Sequence, residues 1–372
     1  MLHDVLVIGA GPGGAAAARL LADAGWGVAL VEKAEFPRRK VCGEFISATS
    51  LPVLKACGVA APFLAAAGPP VTHLGIYAGN SVLAQRRQLV WGRAFGREHL
   101  DVMLRDAAVA AGAELYQPAE VTGLVRENDI SRCTLDDGRV IQARTVIAAC
   151  GSWNAKGPFA VPAAEPRASD LLAFKAHFTG GALPPGLMPL LAFPGGYGGL
   201  VESDAGRLSL SCCIRRDRLA VARTRHGGKA GEAVLAHILE TTRGAREALG
   251  NANLEGAILA AGPIRPGIRS RHDDGIYFTG NLAGEAHPVI AEGISMAIQS
   301  SALLARLLMA HRAERYADDW YRAFAPRLYA SAAIANLAMR RPTRAAALAL
   351  VRAVPGILGA GARLSGKLAV AP

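Results

Sequence analysis

Three glycines, Gly9, Gly11 and Gly14, stand in the spacing GxGxxG directly behind the apolar run Val5–Ile8, and a carboxylate, Glu32, closes a second apolar run, Val28–Val31. Each position has a physical task in holding a dinucleotide. The first glycine permits a tight turn, the second lets backbone N–H groups approach a pyrophosphate, and the third lets a helix pack closely on the strand. A carboxylate about 20 residues further on can accept both hydroxyls of an adenosine ribose. Because Glu32 is acidic, a ribose 2′-phosphate is disfavoured at this position.

A second set of reactive side chains lies in RRKVCGEFIS, Arg38 to Ser47. The Cys42 thiol suits a catalytic nucleophile, a metal ligand or a packing residue beside other chemistry, and Glu44 suits a proton donor or a loop-capping carboxylate. His287, directly before Pro288, has the chemistry of a proton donor, as does Tyr197, which also suits a pocket wall. Cys212 and Cys213 are adjacent on an alternating strand, so one faces a core and the other is free to line a pocket; Cys212 is taken as the lining residue. None of the six cysteines falls in a CxxC or Cys/His ligand spacing, so no metal is expected and no disulfide partner for Cys42 is announced.

The elements that must position these residues alternate. The runs Val5–Ile8 and Val28–Val31 read as strands buried on both faces, with an Ala/Leu-rich helix over Ala15–Ala24 whose positive end faces the phosphates and which stops at Gly25. Arg97 heads a helix in GREHLDVMLRDAAVAAGAEL. Asp137-Gly138 marks a hairpin between further strands. Thr145–Ala149 reads as another buried strand ending at Gly151. In GIYFTGNLAGEAHPVIAEGISMAIQSSALLARLL the order is strand, glycine turn, Pro-containing loop, and a helix from about Gly293.

The chain has 372 residues, 51% of them hydrophobic and 19% charged, which is the composition of an ordered protein large enough for two domains. Its formal charge is +11. The densest basic stretches, Arg215–His226 and Met339–Lys367, do not interleave aromatic residues, so nucleic acid is not an expected partner. The opening MLHDVLVIGAG lacks a basic leader and a cleavage site, which suggests a cytoplasmic chain with reduced thiols.

Taken together these segments resemble the two-domain FAD oxidoreductases of the p-hydroxybenzoate hydroxylase fold, and most closely the geranylgeranyl reductase family, over roughly residues 1–310. The resemblance implies FAD, held by Gly9, Gly11, Gly14 and Glu32 around ADP, by Arg97 of the RxxLD helix, and by Gly280, Asn281, Pro288, Gly293 and Ile294 around the ribityl chain and flavin ring. Pro12, Gly13, Lys33, Cys42, Gly43, Val121 and Gly151 complete the expected cofactor-binding set. It further implies that KVCGEF passes near the flavin and the substrate cavity. The chain departs from the family twice. Asn281 replaces the usual Asp, and Gly199 and Val201 replace a tryptophan and a phenylalanine after Tyr197, so polyprenyl specificity is not carried over.

The Trp-x-Trp-x-Ile strand of the related halogenases is absent, with Trp26, Trp91, Trp153 and Trp320 isolated, although Lys40 offers a lysine of the kind they need. The hydroxylases' Asp-Gly segment is replaced by ACGSWN. The sequence is therefore read as an α/β fold: a Rossmann-like FAD-binding domain (GR2 type) from residues 1–70, 96–155 and 266–315, an inserted β-sheet substrate domain from 71–95 and 156–265, and a helical C-terminal segment, 316–372. The expected activity is an FAD-dependent reductase or dehydrogenase acting on a carbon–carbon bond of an apolar or carrier-protein-bound substrate, with Cys42, His287 and Glu44 as catalytic candidates and Tyr197 and Cys212 in the pocket. NAD(P)H or a separate flavin reductase would supply electrons. An FAD monooxygenase, a halogenase and an electron-relay flavoprotein are the alternatives. The basic C-terminal segment is read as a cover for the substrate domain, with peripheral membrane contact as the alternative.

Overall fold

The structure is a computed structural model and describes residues 1–86, 92–151, 157–160 and 165–339, together with Ala349. Two sheets organise it. In the first, the strands Glu114–Tyr116, Val28–Val31, Leu2–Ile8, Val140–Ala148 and Ile276–Phe278 lie side by side, all parallel. The first of the chain's strands alternates its burial between two cores. Val5 and Val7 face the helices Pro12–Asp23 and Gly293–Met309, with Leu21, Leu304 and Trp320, whereas Leu6 and Ile8 face Val121, Cys133 and Leu135 of an antiparallel hairpin. This two-sided burial is why the strand is apolar throughout.

The helix after the first strand begins at Pro12, three residues before the sequence-derived start at Ala15 (12 + 3 = 15). Proline is well suited to this place, because its missing N–H would have had no intrahelical partner. The strand Val140–Ala148 also starts earlier than Thr145, because its first four residues pair with the hairpin strand Ile130–Leu135, while Gln142 and Ala143 already pair with the first strand on their other side.

The second sheet has seven strands in the order Asn253–Ile264, Leu171–Thr179, Leu208–Arg215, Gly196–Glu202, Leu187–Phe193, His73–Ala78 and Ser81–Arg86. One face carries Phe174, Phe178, Leu210 and Ile214 against Leu219, Val234 and Ile238 of the helices Arg216–His226 and Ala230–Thr241. The opposite face turns Ala173, Tyr197 and Cys213 toward the first domain.

The helix Tyr316–Met339 buries Tyr316, Trp320, Phe324 and Leu328 at four-residue steps, and they pack on the first domain's core. Further along, Ala335 packs on the cluster around Tyr197, so the helix spans both domains rather than covering the second alone. The part of the expected tail beyond residue 339, with Pro342 and Pro355, lies outside the described residues apart from Ala349. No described helix is long and apolar enough to cross a membrane.

Candidate functional site

Gly9 ends the first strand with φ +102°, and a Cβ there would lie 2.8 Å from the Ala149 carbonyl oxygen. A Cβ on Gly14 would fall 1.8 Å from the Gly9 oxygen, so the helix can approach the strand only with glycine there. The helix N-terminus has no side-chain cap, and Gly11, Pro12 and Gly13 border a cavity of about 510 Å³. Uncapped N–H groups at that end are donors for an anion. Gly14 itself is packed behind the loop.

Glu32 is buried at the rim of the cavity, where its two oxygens each accept one backbone N–H, from Ala10 and Ala34, at 2.9 Å. A carboxylate has about four lone-pair sites, so capacity remains for two hydroxyls. Lys33 and Val121 line the same end, Lys33 pairing with Glu120. Arg97, first residue of the helix Arg97–Ala110, is fixed by two 2.7 Å bonds to Asp101 one turn on, and it borders the cavity with Arg38 and Lys40. Burial, then the charges of Arg97 and Arg38, lower Lys40 to about 8. Three cations at one wall form a cradle for a pyrophosphate. A dinucleotide cofactor fits this donor set.

At the other end, Gly151, Gly280, Asn281, Pro288, Gly293 and Ile294 border the cavity. Gly280 opens a tight turn with φ +59°. Asn281 donates through Nδ2 to Glu285 at 3.3 Å, and Glu285, buried, is also paired with Arg269 at 3.0 Å. The uncapped end of Gly293–Met309 supplies a second helix N-terminus.

The stretch Arg38–Ser47 crosses between the domains. Cys42 and Gly43 line the cavity, and the Cys42 sulfur accepts the Glu44 N–H at 3.4 Å. Of the two roles open to Glu44, proton donor and loop-capping carboxylate, its surroundings fit the capping one and not the catalytic one. Glu44 is fully buried at φ +59°, ion-paired with Lys175, bonded to His177 Nε2 at 2.9 Å, and accepts the Arg97 N–H at 3.3 Å. Burial works to raise its pKa, but the His177 hydrogen bond and the Lys175 charge overcome that and hold it far below the ordinary carboxylate range. A group so held keeps no proton to give, so Glu44 is a positioning residue that pins the Cys42 loop to the second sheet.

Tyr197 and His287 meet: the phenol oxygen lies 3.3 Å from His287 Nδ1. Burial, and after it the Cys213 sulfur, push the Tyr197 phenol well above its ordinary range, whereas burial lowers His287. The cysteine packed with Tyr197 is Cys213 rather than Cys212. Cys212 also borders the cavity, but its side chain belongs to the core with Phe174 and Leu210, as strand alternation requires of adjacent residues. Gly198, Gly199, Met188, Leu190 and Val201 complete the apolar wall on this side.

Arg38, Lys175 and His177 were not assigned roles from sequence, and Lys40 only as the lysine a halogenase would need. For Lys175 and His177 a signal exists: in LLAFKAHFT a lysine and a histidine sit two apart in a strand otherwise apolar to Phe178, which places both on one buried face.

Residues 3–156 match the family described as FAD binding domain. Over longer spans the chain is similar to Conditioned medium factor receptor 1 of Dictyostelium discoideum, 28% identical over 87% of this chain and 68% of that one. It is also similar to digeranylgeranylglycerophospholipid reductase 2 of Methanopyrus kandleri, 27% identical over 79% and 74%. The menaquinone reductase of Mycolicibacterium smegmatis is 29% identical, but the alignment covers 41% of this chain and 39% of that protein. In structure the chain resembles the flavin-dependent brominase Bmp2, with a TM-score of 0.79, 19% identity and 99% and 94% of the two chains covered. That likeness establishes the fold, which is that of the p-hydroxybenzoate hydroxylase-type flavoproteins. The chain carries an FAD-binding domain over residues 3–156 and is a flavin-dependent enzyme.

Proposed function

We propose that this FAD-dependent oxidoreductase reduces a carbon–carbon double bond in an apolar, lipid-like substrate, free or attached to a carrier protein. The observation that carries the reading is the continuity of one cavity from the dinucleotide loop to an apolar wall of the second sheet, with the Tyr197–His287 couple at that wall. FAD, when bound and reduced, supplies a hydride. Tyr197 then holds, at its phenol oxygen, the proton that the other carbon of the double bond requires. His287, neutral at pH 7 because burial lowers it, can pass a replacement proton through Nδ1. Cys42 and the loop it belongs to border the same space and bear on the substrate by shape. The reductase names of two relatives, acting on a digeranylgeranyl lipid and on menaquinone, support a long apolar substrate.

Two further features belong to the proposal. NAD(P)H or a separate flavin reductase provides the electrons, and the basic segment from Met339 onward reaches an anionic membrane surface where such substrates reside. Halogenation is less well supported, because Lys40 sits with Arg38, Arg97, Glu32 and Asp101 at the dinucleotide end and not on the sheet that faces the apolar wall.

Anaerobic reduction of the FAD-loaded protein, followed by polyprenyl lipids or a carrier-bound unsaturated chain, should give a product heavier by two hydrogens in mass spectrometry. Tyr197→Phe should keep the flavin spectrum and slow that step by about 10²–10⁴-fold. A product gaining one oxygen in air, or a halogen, overturns the reductase reading; failure to bind FAD overturns the whole assignment.

A further inference from the structure

We propose that His226, His237 and Glu240 form a binding site for a divalent transition metal of the zinc class on the outer helices of the second domain. His226 is the last residue of the helix Arg216–His226, and His237 and Glu240 are three apart on Ala230–Thr241. One ligand atom from each lies within 4.8 Å of the others. Two imidazoles and a carboxylate are the donor set of an open tetrahedral zinc site, with water in the fourth position.

The neighbours of these three residues independently point the same way. His226 Nε2 is buried and makes no hydrogen bond, although Glu240 Oε2 lies 3.3 Å away. His237 Nε2 bonds the Pro194 carbonyl at 3.0 Å, so that nitrogen carries the proton and Nδ1 keeps the lone pair. Metal-binding histidines have this arrangement, in which the second ring nitrogen is oriented by a carbonyl. The other oxygen of Glu240 is held by Arg225, which leaves Oε2 for a metal and orients the carboxylate. Drawing the three atoms to tetrahedral spacing needs only small side-chain movements, which the exposed Glu240 and the Arg225 that holds it can make together. The spacing of eleven positions between His226 and His237 matches no short ligand motif, so the site emerges only when the two helices pack.

The bound metal would tie the end of one helix to the other. Both helices cover the outer face of the second sheet through Leu219, Val234 and Ile238, and none of the three ligands borders the cofactor cavity. The site is therefore structural with respect to the flavin chemistry.

The test uses the full chain, FAD-loaded and stripped of metal, titrated with Zn²⁺ by calorimetry and with Co²⁺ by visible absorption. One site with a tetrahedral Co²⁺ spectrum and a raised melting temperature in Zn²⁺ is expected. His226→Ala and His237→Ala should each weaken binding by more than about a hundredfold. Glu240→Gln, which retains the side chain's shape, should weaken it without lowering the metal-free melting temperature. The flavin spectrum should be unchanged throughout. No saturable Zn²⁺ binding, or binding that persists undiminished in His226→Ala/His237→Ala, overturns the proposal.

Discussion

Replacing Glu44 with glutamine tests whether the loop carrying Cys42 is held by charge. Glu44 and Lys175 are both essentially inaccessible, with side-chain exposures of 0% and 1%, and His177 on the other oxygen is at 2%. Glutamine preserves size and can still accept a hydrogen bond, but it leaves the Lys175 ammonium buried without a counter-charge. Breaking a buried pair in this way costs about 3–5 kcal/mol. At about 2 °C per kcal/mol for a chain of this size, Glu44→Gln should melt about 6–10 °C lower in a calorimetric scan. Adding Lys175→Met removes the stranded charge, so the double variant should recover most of the loss. The pH dependence has a definite sign. Because the folded pKa is far below the ordinary 4.5, the stabilisation is fully present above that value and is lost as pH falls below it. The wild-type protein should therefore lose more stability than Glu44→Gln between about pH 5 and pH 2. A single variant melting within about 2 °C of wild type, or a double variant no better than the single one, would refute the electrostatic pin.

Lys40 and the glycine loop give two further expectations. Since Lys40 is lowered to about 8, it loses its proton there in the cofactor-free protein but only at about 10.5 when unfolded, so stability without ligand should rise with pH across that window. Affinity for anionic FAD should move the other way, its Kd rising by up to about tenfold per pH unit above 8 in a fluorescence titration, and Lys40→Met should remove that dependence. Gly11→Ala and Gly14→Ala should separate binding from folding: a Cβ at Gly11 meets only Arg97 Nη2 at 3.6 Å, whereas one at Gly14 overlaps backbone. The first variant should keep the melting temperature of the cofactor-free protein while losing FAD affinity. The second should lose both, and equal behaviour in the two assays would contradict the assigned glycine roles.

The nucleotide end of the fold was legible because its main constraints are local, although the space at Gly9 is closed by the distant Ala149. Gly9, Gly11 and Gly14 follow a strand that is apolar throughout, and the backbone conflict that forbids a larger residue at Gly14 involves an atom only five residues away (14 − 9 = 5). The Arg97–Asp101 pair is one helical turn long and was available in the RxxLD spacing. The second sheet was less legible in detail. Its alternation announces that Cys212 and Cys213 face opposite ways, but which face meets the cavity is set by the side on which the helices Arg216–His226 and Ala230–Thr241 pack, and strand periodicity carries no such information. For a similar reason the sequence left Glu44 open between proton donor and loop-capping carboxylate: its partners Lys175 and His177 are more than a hundred residues away on a strand of the second sheet.

Asn281 shows how the two kinds of information combine. Against the family pattern it looks like the loss of a negative charge beside the cofactor. The structure supplies a reason internal to this chain, because Asn281 donates an N–H to the buried Glu285, whose other oxygen is held by Arg269. An aspartate at 281 would have no proton to donate and would face Glu285 as a like charge in a poorly solvated place, where repulsion is strong. A carboxylate, Glu285, stands four residues further along the chain, on the strand Gly284–Glu285 beside the His287 loop. Glu285 still borders the cavity, so a negative charge remains at this end of the site, and Asn281 remains able to present its amide oxygen to a cofactor hydroxyl. Asn281 and Glu285 thus act as one hydrogen-bonded pair, and the departure at position 281 is compatible with the same cofactor rather than a sign against it.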